Sequence, residues 1–154
     1  MDLAAVAVGA AAGGVLRHAI SSSPRLASRP GGKLWSIAGI NIAGSALLAG
    51  AACCAPLHPR GRLLLGTGMC GGFTTFSTFA VDVVGLLEAR QYATAAGYLA
   101  VNNIGSLAGA GCALVLVRRF GGGSFALPGP ILHSRSHELA AAAKAAQSNK
   151  VHVV

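Results

Sequence analysis

One group of side chains shares a chemical property and sits inside runs too apolar for a soluble protein. It comprises Asn41, Ser45, Thr74, Thr75, Ser77, Thr78, Tyr98, Asn102 and Ser106. All are uncharged, and each can donate a hydrogen bond. Asn41 and Ser45 stand four residues apart, as do Tyr98, Asn102 and Ser106, so each set lies along one face of a helix. Asn103 falls one residue off that stripe. No Ser-His-Asp arrangement, carboxylate pair or metal-ligand spacing accompanies them, so catalytic machinery is not visible. A file of neutral donors across a bilayer suits an anion, which must have its hydration replaced and still be able to leave.

The centre of this group is Gly68-Met69-Cys70-Gly71-Gly72-Phe73-Thr74-Thr75-Phe76-Ser77-Thr78-Phe79. Paired glycines weaken a helix, and Ser and Thr compete locally for its hydrogen bonds. Non-helical backbone at membrane depth survives only when buried in protein or lining a wet cavity. The stretch therefore reads as a broken membrane helix at a functional centre. Carbonyls freed around Gly71 to Thr74 can coordinate a cation, and two copies about a two-fold axis could close an oxygen cage. Phe76 and Phe79, three apart, share a face if the helix resumes. Their positive ring edges can face a small anion, or they can simply pack.

The elements that position this centre are membrane spans. Of 154 residues 53% are apolar and 10% charged, against roughly 25% charged in soluble domains. Runs from Leu3 to about Ser23, Leu34 to Leu57, Leu63 to Leu87 and Gln91 to Val117 are long enough to cross a bilayer. The first is interrupted by Arg17, which must snorkel to the interface or face a wet cavity. Its Gly9 and Gly13 suit close helix packing, as do Gly105, Gly109 and Gly111 in the fourth run. Trp35 opens the second run as an interfacial anchor. Pro24 to Lys33 and Pro56 to Arg62 read as loops. Residues 1–119 form one channel-like domain, and 120–154 a flexible Gly/Ala-rich basic tail with a short helix over Ser136 to Gln147. His133, His137 and His152 in it read as solvated.

The net charge of +8 lies between and after the apolar runs without interleaved aromatics, which points to lipid headgroups and not to nucleic acid. Arg60, Arg62, Arg118 and Arg119 fall on one side of the membrane. Arg25, Arg29, Lys33 and Arg90 fall on the other, with Arg17 near that end. Orientation follows an excess of Lys and Arg. With almost none here, insertion in both directions, and so an antiparallel homodimer, becomes accessible. Cys53, Cys54, Cys70 and Cys112 read as small buried hydrophobes. The start Met1-Asp2 lacks a basic leader region, so the first run is expected to be retained.

These residues resemble the Fluc (CrcB-type) fluoride channels over roughly residues 9 to 117. The likeness includes Gly13-Gly14-x-x-Arg17, Asn41-x-x-Gly44-Ser45 and Tyr98-x-x-x-Asn102-x-x-x-Ser106. Its most specific part is Gly71-Gly72-Phe73-Thr74-Thr75-Phe76-Ser77-Thr78-Phe79. The resemblance implies an all-α membrane protein of four transmembrane helices with a broken third. It also implies a dual-topology antiparallel homodimer with two pores, exporting fluoride passively across a cell membrane. Phe76 and Phe79 carry over as a phenylalanine box and Asn41 as a pore amide. Ser77, Thr78, Tyr98, Asn102 and Ser106 carry over as polar groups of the pathway. Backbone carbonyls of Gly71 and Thr74 from both subunits would hold a structural sodium ion, with Arg17 and Glu88 near the vestibules. Asn102 stands where some relatives carry a hydroxyl, and the tail after Arg119 has no counterpart.

Two other readings compete. A small proton-coupled exporter of cationic drugs needs a membrane-embedded carboxylate, and Asp82 in the third run is the available one. A non-conducting scaffold would use the small-residue faces but gives no reason for the broken helix. Asp82→Asn separates the first rival from a channel. Proton-driven drug efflux is lost under the rival, whereas fluoride flux through a pore is spared, as parallel liposome assays would show.

Overall fold

A computed structural model describes residues 2–53 and 58–121. The proposed helix over Ser136 to Gln147, Cys54, the histidines of the tail and almost all of the 120–154 segment lie outside these residues. Described residues are helical throughout their regular elements. These are α1 (Asp2–Ser21), α2 (Pro24–Ala27), α3 (Gly32–Cys53), α4 (Pro59–Arg62), a π-helical segment (Leu63–Cys70), α5 (Gly71–Phe73), α6 (Phe76–Glu88) and α7 (Tyr92–Gly121). Four spans are long and apolar enough to cross a membrane: Asp2–Ser21, Gly32–Cys53, Pro59–Glu88 and Tyr92–Phe120. The chain is a multi-pass membrane protein.

Three features depart from the sequence expectation. Pro24 to Lys33 and the described part of Pro56 to Arg62 each contain a helical turn, α2 and α4, because Pro24 and Pro59 occupy first-turn positions where a missing N–H costs nothing. The third span does not break at its paired glycines. Gly71 has α-helical angles (φ −64°, ψ −39°), and the chain turns extended only at Thr74 (φ −76°, ψ 157°) and Thr75 (φ −149°, ψ 113°). The break is preceded by the π-helical segment, a form seen mostly in short pieces at functional sites.

The glycines serve a different purpose, which is backbone contact with α1. A Cβ at Gly72 would overlap the Ala10 carbonyl and lie 2.9 Å from Ala10 Cα. At Gly9 it would overlap the Leu64 carbonyl and approach Met69 N to 2.8 Å. At Gly13 it would overlap the Met69 carbonyl and approach Phe73 N to 2.7 Å. Small residues let helices touch where no aqueous hydrophobic drive exists. Helix α1 is thereby locked in register along the segment that leads into the break.

Helix α3 makes its largest contact with α7. Gly105 and Gly109 face Ile42 there, whereas Gly111 meets nothing and takes no part. Ile37, Ala38, Ile40, Phe73, Phe79, Leu86, Ala95 and Tyr98 form the buried core. The α6–α7 turn closes with Arg90 in the left-handed region (φ 56°), and Gln91 N–H donates to the Leu86 carbonyl at 2.8 Å. Overpacking at a backbone contact cannot be relieved by rotating a side chain. Gly9→Val is expected to destabilise the fold by about 3 kcal/mol or more. Gly14→Ala, where a Cβ meets nothing within 4 Å, is expected to be neutral or mildly stabilising. Thermal melting of the two purified variants in detergent checks the contrast.

Candidate functional site: a donor-lined cleft at the helix break

Two extended residues at membrane depth leave peptide groups without helical partners, and each such group must be satisfied. Thr75 N–H donates to Asn41 Oδ1 at 2.8 Å, and Asn41 Nδ2 donates to the Thr75 carbonyl at 3.1 Å. One side-chain amide from α3 thus replaces both ladder bonds of Thr75, as a neighbouring β-strand would. The Thr75 hydroxyl then caps α6, accepting from Thr78 N–H at 3.2 Å and donating to Thr78 Oγ1 at 3.0 Å. Ser77 Oγ lies 3.3 Å from the same hydroxyl.

This network also fixes the orientation of two amides. Thr75 N–H can only donate, so the Asn41 atom facing it is oxygen. Asn41 Nδ2 is then the group that donates to Asn102 Oδ1, at 3.2 Å. Asn102 must in turn direct Nδ2 elsewhere, on the side of the Tyr98 hydroxyl, and among the described residues that donor has no partner in hydrogen-bond geometry. Nor has Ser106 Oγ, one turn further along α7. Asn102 is only 5% exposed. An unsatisfied buried donor costs about 1–3 kcal/mol, so both groups are poised for an acceptor from outside the protein.

Asn102 and Ser106 wall an open cleft of about 370 Å³, together with Asn41, Gly44, Ser45, Leu48, Thr74, Thr75, Phe76, Phe79, Asn103 and Leu107. Among the described residues, no charged one lines it. Gly44 is needed at this wall, since a Cβ there would overlap Thr74 Cγ2. The rings of Phe76 and Phe79 are 5.6 Å apart and inclined by 59°. Phe79 packs on Tyr98 (5.3 Å, 57°), whose ring meets that of Trp35 edge-on at 6.2 Å. Phe79 is 5% exposed and Phe76 76% exposed.

The sequence-predicted residues therefore divide. Asn41, Phe76, Phe79, Asn102 and Ser106 converge on the cleft. Ser77 and Thr78 are engaged with the Thr75 hydroxyl and do not line it, and Tyr98 stands behind Phe79 with its hydroxyl 3.4 Å from Asp82 Oδ2. Asp82, read from sequence only as a possible proton carrier, is in fact the acceptor that holds Tyr98. Glu88 is exposed at the end of α6, beside a separate shallow depression with Ala80, Val81, Val84 and Gly85. Arg17 is half-buried and gains a partner that its place in the sequence did not suggest. Its Nη1 donates across to the Thr74 carbonyl at 3.3 Å. That carbonyl and that of Gly71 are released from the helical ladder. The N–H groups that would pair them, on Thr78 and Thr75, bond Thr75 Oγ1 and Asn41 Oδ1 instead.

Fold and site together define a four-span helical membrane protein built around a broken third span and an uncharged, donor-bearing cleft. A family model described as "CrcB-like protein, Camphor Resistance (CrcB)" matches residues 4–114, and the chain belongs to this family. It is 41% identical over 111 residues to "Fluoride-specific ion channel FluC 1" of Halobacterium salinarum, covering 72% of this chain and 86% of the relative. It is 42% identical over 122 residues to "Fluoride-specific ion channel FluC" of Methylobacterium nodulans, covering 75% and 95%. To the protein of the same name from Bordetella petrii it is 40% identical over 112 residues, covering 70% and 84%.

Asn41→Leu strips both bonds from the buried Thr75 peptide and is expected to lower stability by about 2–5 kcal/mol. Asn41→Asp keeps the acceptor for Thr75 N–H but loses both donated bonds and adds a buried charge, so it too is expected to melt early. Thermal unfolding in detergent, read beside Ser45→Ala as a mild control, tests the ranking.

Proposed function

We propose that this chain is a fluoride-selective passive channel of the cell membrane, acting as an antiparallel homodimer with two pores. The observation that carries the reading is the pair of unpartnered donors, Asn102 Nδ2 and Ser106 Oγ, on the wall of an uncharged cleft. Fluoride is small and a strong hydrogen-bond acceptor, so its main barrier is loss of water. Neutral donors replace part of that hydration without the deep trap that an Arg or Lys would create. Inclined rings at Phe76 and Phe79 add positive edges along the wall. The names of the relatives support the same ion.

Pairing of two copies is supported by Phe76, whose ring flanks the cleft yet is 76% exposed, leaving the wall open on that side. A second copy would cover it. The released carbonyls of Gly71 and Thr74 fit a hard monovalent cation in donor chemistry. Among the described residues there is no group of three or more His, Cys, Asp or Glu side chains to offer an alternative metal site. These two carbonyls fall short of a full oxygen shell, and a second copy would bring an equal set to complete a cage. Sodium bound there supplies a fixed positive charge and a tie between subunits. Asn41 holds the break in shape, and α1 buttresses it from behind.

Fluoride efflux from liposomes holding only this purified chain, with sodium present and chloride as control, tests the proposal. Rapid fluoride loss without chloride loss is expected. Asn102→Ala and Phe76→Ile are each expected to slow it by about tenfold or more, as removal of roughly 1.4 kcal/mol of stabilisation would. Chloride flux equal to fluoride flux, or silence from well-folded dimers, would overturn the reading.

A further inference from the structure

The contact between Arg17 and the break belongs to neither the donor cleft nor the packing of α1. Arg17 lies one turn beyond Gly13, whose backbone contact with Met69 and Phe73 fixes where α1 delivers its side chain. The guanidinium is half-buried, and its polar contact is with a carbonyl, not a carboxylate: Nη1 to Thr74 O at 3.3 Å. That carbonyl is available because the Thr75 hydroxyl has taken the Thr78 N–H. The Thr74 hydroxyl points the other way along the chain, donating to the Cys70 carbonyl at 3.0 Å. A fixed positive charge at the break therefore sits on an oxygen that a cation would use.

We propose that Arg17 is a built-in competitor for the cation site, occupying the Thr74 carbonyl in the single protomer and opposing capture of a sodium ion there. The inference rests on the cation site proposed above. Like charges sharing one oxygen repel strongly where water is sparse. Arg17 thus weakens sodium binding and makes occupancy of the site depend on sodium concentration. A carbonyl has two lone pairs, so the guanidinium need not leave altogether; its charge alone lowers the affinity. The shape of the donor matters less than its charge, which separates this role from a structural one.

Sodium-dependent thermal stabilisation of the full-length protein in detergent tests it, with N-methylglucamine replacing sodium at constant ionic strength and no fluoride present. Arg17→Met is expected to move the midpoint of stabilisation to sodium concentrations about tenfold lower or less. Arg17→Lys, which keeps the charge and loses the planar fork, should stay within about threefold of the parent. Should Arg17→Met fail to fold, Arg17→Gln, which keeps a donor for Thr74 O without charge, is held to the same expectation. A midpoint that is unchanged or higher in the uncharged variants overturns the competitor role while leaving the cation site standing. A parent protein that sodium does not stabilise overturns the cation site and this inference together.

Discussion

The bidentate bond between the Asn41 amide and the Thr75 peptide is the constraint on which the rest depends. An extended residue inside an apolar span exposes an N–H and a carbonyl that lipid cannot satisfy. Asn41 meets both at 2.8 and 3.1 Å. Because its oxygen is committed to Thr75, its nitrogen must donate, and Asn102 must accept. The spare donor of Asn102 at the cleft is thus a consequence of how the break is held. Structural repair and the candidate binding group share one hydrogen-bond chain, and such chains act as units.

The same break divides labour along the third span. Before it, glycines press the π-helical segment and α5 against α1 with backbone in contact. After it, Thr75 caps α6 and re-establishes helical order at once. Between these, the carbonyls of Gly71 and Thr74 lose their helical partners. One of them is met by Arg17. An apolar wall, neutral donors and oxygen-rich backbone therefore lie within a few residues of one another, yet they face different neighbours.

Aromatic packing links the cleft to the interior. Phe76, Phe79, Tyr98 and Trp35 form a continuous run of rings. Tyr98 is anchored at its polar end by Asp82, so Phe79 rests on a fixed support while Phe76 remains open. A carboxylate that a sequence reader would assign to proton transfer is here an acceptor for a tyrosine that stands behind the wall. An Asn in its place still offers an oxygen to that tyrosine.

By itself the sequence determined the membrane class, the four spans, the existence of a break near Gly71 to Thr75 and the face shared by Tyr98, Asn102 and Ser106. These follow from run length, low charge and helical period, which are local properties. Tertiary structure decided the rest. The break moved past the glycines to Thr74–Thr75 because an amide on another helix could satisfy Thr75, while Gly72 was needed against Ala10. Ser77 and Thr78 turned to a local cap instead of the cleft. Arg17 crossed to Thr74, and Asp82 met Tyr98, through contacts 57 and 16 residues apart in the chain. The π-helical segment carries no signature in a 3.6-residue pattern. Hydrogen-bond donors and acceptors are legible residue by residue, but their partners are settled only where helices meet.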